Sequence, residues 1–68
     1  MSTDNDPLNK ARRLVVEGRR IVWEQKGLIA RLGAAGFDML DAKRTLRVLE
    51  KNLNVFEEHR NSLESKEH

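Results

Sequence analysis

The chain has no cysteine among its 68 residues, which removes two ways in which a short protein can brace itself: a disulfide framework and a thiolate metal site. Proline occurs once, at Pro7, and the aromatic residues are three, Trp23, Phe37 and Phe56. No apolar run approaches the ~20 residues that a membrane-spanning helix requires. The first seven residues carry Asp4 and Asp6 and no hydrophobic stretch, so no secretory signal is expected there. These absences make a cytoplasmic chain without membrane attachment the expectation, and its length allows one domain. So short a chain buries a small fraction of its surface when it folds alone. Without staples, the missing core is commonly gained by oligomerising.

Charge is plentiful but nearly balanced, with 13 basic and 11 acidic residues and a net charge of +2. Residues 1–32 hold seven basic and four acidic side chains, whereas residues 33–68 hold six and seven. A mildly basic first half and a near-neutral second half suit antiparallel helix pairing better than a concentrated polyanion-binding field.

What the sequence does contain is heptad spacing. Between Ala42 and Leu63 the apolar residues are Ala42, Leu46, Leu49, Leu53, Phe56 and Leu63, and Arg60 alone breaks the row. Steps of three and four are those of a helix lying along another helix. A second helix is predicted before it, from Pro7 to about 35, started by Asp6 as N-cap and by proline in its first turn. Its large aliphatic pairs, Leu14/Val15, Ile21/Val22 and Leu28/Ile29, repeat every seven residues, and the row Ala11, Gly18, Gln25, Leu32 lies between them. That row of small or polar residues, closed by Leu32, is expected to face the other helix along the hairpin seam. Gly18 and Gly27 each cost roughly 1 kcal/mol relative to alanine within a helix, so this helix is expected to depend on packing.

Gly36 is the preferred stop for the first helix, over Gly33, because it makes Phe37 the next residue and allows a Schellman ending with a Phe37–Leu32 contact. Asp38 then caps a second helix from 39 to about 64, with Asp41 favourable in its first turn. So short a connection forces an all-α antiparallel helical hairpin. Residues 1–5 are expected to be a disordered tail and residues 65–68 to fray. With the turn near Phe37, facing positions should sum to about 74, setting Leu32 by Ala42, Gln25 by Leu49, Gly18 by Phe56 and Ala11 by Leu63.

The residues Gln25-Lys26-Gly27-Leu28-Ile29, Leu32, Gly36-Phe37-Asp38, Ala42, Leu46, Leu49-Glu50, Leu53, Phe56 and His59-Arg60 resemble those of short uncharacterised bacterial proteins of unknown function. The resemblance covers residues 25–60. It implies a helical hairpin in a bacterial, cytoplasmic setting and carries no activity.

Two helices need one seam each, yet this pair has apolar residues to spare. Leu14, Ile21 and Leu28 on one helix, and Val48, Asn52, Val55 and His59 on the other, form a flank suited to an oligomer contact. A dimer making a four-helix bundle is the expectation. No catalytic, metal or cofactor residue is assigned. His59 has Phe56 and Val55 three and four positions before it, where a helical metal site would need ligands. The glutamates 57 and 58 point to different sides of a helix, and Asp38 and Asp41 have capping work. The expected function is a small non-enzymatic interaction module acting by self-association and helix recognition, with room for a protein partner. The alternative is a regulatory protein that touches nucleic acid through the outer side of the first helix. There Arg12, Arg13, Arg19, Arg20, Lys26 and Arg31 surround Trp23, and cations on phosphate with an indole on a base would suffice.

Overall fold

The structure, a computed structural model, describes residues 6–66. Two helices, α1 (Pro7–Ala34) and α2 (Leu40–Lys66), pack against each other as an antiparallel hairpin. The tail expected at 1–5 and the final two residues of the fraying end expected at 65–68 lie outside the described residues.

Both helix starts are made by aspartate. The Asp6 carboxylate accepts from the Leu8 N–H at 3.0 Å, and its carbonyl accepts from the Lys10 N–H at 3.0 Å. Asp38 does the same for the Leu40 N–H at 2.9 Å. The first intrahelical bond of α2 runs from Lys43 N–H to the Met39 carbonyl, which places the start of α2 at Leu40, one residue after the expected 39.

α1 closes at Ala34, one residue earlier than expected, because Ala35 is the cap and Gly36 turns left-handed at φ 80°. The Phe37 N–H donates to the Leu32 carbonyl (2.9 Å) and the Gly36 N–H to the Gly33 carbonyl (3.1 Å). That bond pair is the Schellman ending, and glycine adopts its left-handed residue without Cβ strain. Phe37 nevertheless stays 66% exposed. Met39 lies inward, its sulfur 2.9 Å from where a Cβ on Gly33 would stand.

At the other end α2 continues to Lys66, two residues past the expected 64. Glu64 in that last turn is held twice, by Arg60 within the helix and by Arg12 across it.

Among the described residues, Leu8, Ala11, Val15 and Val22 of α1 are buried, and α2 contributes none. A 27-residue helix that fully buries no side chain is packed on one narrow stripe. The core of one chain is therefore a single seam rather than an enclosed interior.

Candidate interaction surface

The seam itself comes first, because it fixes what is left over. Ala11 is buried, and Gly18, Gln25, Leu32, Ala42, Leu46, Leu49, Leu53, Phe56 and Leu63 are partly buried. Leu8, Val15, Val22 and Ile29, which flank the expected row, share the α1 side of it. The spacing 8, 11, 15, 18, 22, 25, 29, 32 alternates threes and fours and was the available signal.

Gly18 explains itself through its neighbours. A Cβ there would stand 3.1 Å from Leu53 Cδ1 and 3.5 Å from Phe56 Cδ2. The facing residue expected was Phe56, and Leu53 stands closer still. Levels across the hairpin therefore have numbers summing to between 71 and 74. Gln25, expected level with Leu49, reaches along the seam with its amide and donates to the Ala42 carbonyl at 2.9 Å. An amide in an apolar layer must find a partner, and a helix carbonyl retains a free lone pair for it.

One side of this seam is closed by charge. Arg12 donates to Glu64 at 3.3 Å and Arg19 to Glu57 at 3.0 Å, both across the hairpin. The same spacing sets Lys26 level with Glu50. Arg60, the residue that interrupts the α2 seam, adds a 3.3 Å contact to Glu64 and a 3.0 Å bond to Asn61. Farther out on α1, Arg20 bonds Glu17 one turn before it and Glu24 one turn after. The Arg20 hydrogen bond holds the Glu17 carboxyl below the usual carboxylate range, and the two glutamates raise the Arg20 guanidinium above its ordinary value. Of the seven residues proposed as a nucleic-acid face, Arg12, Arg19 and Arg20 thus already hold carboxylates of this chain. All seven are exposed, Trp23, the indole among them, at 75%.

The opposite side is open. In an antiparallel pair the ion-paired rows of the two helices lie together, so the rows on the far side of each seam also lie together. Those are Leu14, Ile21 and Leu28 on α1, and Thr45, Asn52 and His59 on α2 with Val48 and Val55 just beyond. Leu14 is 45% exposed, Leu28 38%, Val48 58% and Val55 60%. Ile21 is half-buried, and Asn52 and His59 are exposed. Antiparallel heptad geometry thus sets the residues of that flank on the same side of the seam.

Concavity is slight. A shallow depression on the outside of α1, lined by Lys10, Arg12, Arg13, Leu14, Val16 and Glu17, opens broadly to solvent. Among the described residues no three side chains are grouped as a metal site would need, and no helix is long and apolar enough to cross a membrane.

The fold and its open flank define the chain as a two-helix hairpin with one apolar face uncovered. In comparisons with known proteins, it matches no family model, no curated protein and no solved structure.

Proposed function

We propose that this protein is a small, non-enzymatic helical interaction module that self-associates through its open flank, two hairpins making a four-helix bundle. The observation that carries this reading is the difference between the two sides of the seam. Arg12–Glu64 and Arg19–Glu57 pair charges along one side, while on the other Leu14, Leu28, Val48 and Val55 are exposed, with Ile21 half-buried among them.

Size supports it, because a chain of 68 residues buries a small fraction of its surface when it folds alone. An open depression that cannot exclude water also suits recognition better than catalysis. The same flank leaves room for a protein partner bearing an amphipathic helix, and the cytoplasm is the compartment we assign.

Sedimentation at tens of micromolar should give about twice the chain mass. Ile21→Glu and Val55→Glu should each return it to a single chain, by placing an unpaired charge in the contact. A wild-type chain that stays folded at one chain mass over the whole concentration range would overturn the reading.

Nucleic-acid contact is the second reading, and Trp23 favours it, since its exposed indole stands among Arg19, Arg20 and Lys26. It ranks second because Glu57, Glu17 and Glu24 already occupy two of those cations. Binding to generic RNA or DNA that falls steeply with salt and is lost in Trp23→Ala would promote it.

A further inference from the structure

We infer how the second copy sits: antiparallel on the open flank, α1 over α1 and α2 over α2, with a two-fold axis crossing at the level of Ile21 and Asn52. This rests on the self-association proposed above and names its geometry and its specificity-determining residue.

Gly18 lies between Leu53 and Phe56, so facing levels sum to between 71 and 74. Ile21 and Asn52 therefore stand at one height, Leu14 stands level with His59, and Leu28 with Thr45. A closed pair of copies brings the same patch of each together, and two directions of the axis are available. With the axis along the hairpin, α1 lies on the second copy's α2. Leu14 then meets His59, Ile21 meets Asn52, Leu28 meets Thr45, and the valines come over Glu17 and Glu24. That arrangement puts apolar on polar in every row.

With the axis across the hairpin at Ile21 and Asn52, the rows match. Leu14 meets the second copy's Leu28, Val48 meets its Val55 within one residue of level, and Ile21 meets its own copy. Asn52 then meets the other Asn52. A carboxamide has both a donor and an acceptor, so two of them on a two-fold axis can satisfy each other. By the same symmetry Thr45 meets the second copy's His59, so the α2 row is polar along its length, and the paired amides at its centre set its register at some cost in stability. Like charges do approach at the rim, Lys10 near Arg31 and Glu17 near Glu24. They are exposed to solvent, where such terms are small, and Arg20 already bridges the two glutamates within each copy.

Because the chain has no cysteine of its own, single cysteines read this geometry directly. A disulfide needs Cα atoms within about 7 Å, which residues on the axis meet and off-axis residues do not. Under mild oxidation, Ile21→Cys and Asn52→Cys should each form covalent dimers. Leu14→Cys and Leu28→Cys should each remain unlinked alone and should link when mixed. Two axis positions guard against one variant failing to fold. If the protein sediments as a dimer but links Leu14→Cys to His59→Cys instead, the arrangement is overturned while self-association stands. If it sediments as one chain throughout, self-association itself has failed.

Discussion

Gly18 and Gly27 show how the same residue type answers to different constraints along one helix. Gly18 faces the seam with Leu53 and Phe56 close against it, whereas a Cβ on Gly27 would meet only the end of the Arg31 side chain, at 3.5 Å. Gly27→Ala should therefore gain close to the full propensity difference, about 1 kcal/mol, read as a higher urea midpoint at unchanged slope. Gly18→Leu should lose roughly 1–3 kcal/mol through overpacking, despite its better helix propensity. Phe56→Ala should cost about 3 kcal/mol, the low end for an aromatic truncation because Phe56 is only partly buried. Combined, Gly18→Leu and Phe56→Ala should lose less than the two losses added, since only neighbours couple. Strict additivity in denaturation would show that Leu53 alone fills the space over Gly18.

Each helix carries its own electrostatic logic. The row Arg12, Arg19, Lys26 on α1 and the row Glu50, Glu57, Glu64 on α2 repeat at seven-residue spacing, so antiparallel pairing aligns opposite charges down one side. Arg19 and Glu57 are exposed enough that water screens them, and such a pair is worth about 0–1 kcal/mol. Arg19→Glu should therefore lower stability only slightly, and adding Glu57→Arg should restore it, a cycle that thermal melts can resolve at low salt. A lack of any recovery would mean that the row is a solvated surface with no part in pairing. Within α1, Arg20 gives the Glu17 carboxyl a folded value below its ordinary one. For a lowered acid the sign is fixed: the contribution is complete above the unfolded value near pH ~4.3, and it is lost as pH falls through the folded value. Helicity measured by circular dichroism should accordingly decline on acidification below that range, and less so in Glu17→Gln, which has no charge to lose.

At the scale of the whole molecule, a seam with four buried side chains among the described residues, all on one helix, leaves little to hold an isolated chain together. If folding and association are linked, the melting temperature should rise with protein concentration, as mass action requires when the native form is the associated one. Calorimetry over a hundredfold concentration range would measure this, and a concentration-independent melt would contradict the linkage. Asn52→Val should raise that melting temperature while broadening the distribution of oligomers, because it replaces an amide that sets register with an aliphatic side chain that does not.

Read as a string, the residues already determine two helices, their antiparallel order and the caps between them. Asp6-Pro7, Gly36 and Asp38 act through bonds to the nearest few residues, and heptad spacing is a property of one helix considered alone. That local character is why both ends of α1 and the start of α2 lie within a residue of expectation. The sequence also shows a surplus of apolar rows, but not which of two adjacent rows faces the partner helix. Val15 and Val22 go inward while Leu14 stays partly exposed, a choice made by rotation of α1 against α2, which depends on both helices at once. The basic side chains of α1 show the same limit. As a pattern they read as a cationic face, and only the packed hairpin sets Glu57 and Glu64 beside Arg19 and Arg12, because residues 38 and 52 positions apart meet through the fold alone. Gln25 likewise reads as a polar interruption until the seam brings the Ala42 carbonyl within 2.9 Å of its amide. Short-range chemistry was legible in the chain; the identity of long-range partners was settled by how two helices roll together to bury Leu8, Ala11, Val15 and Val22.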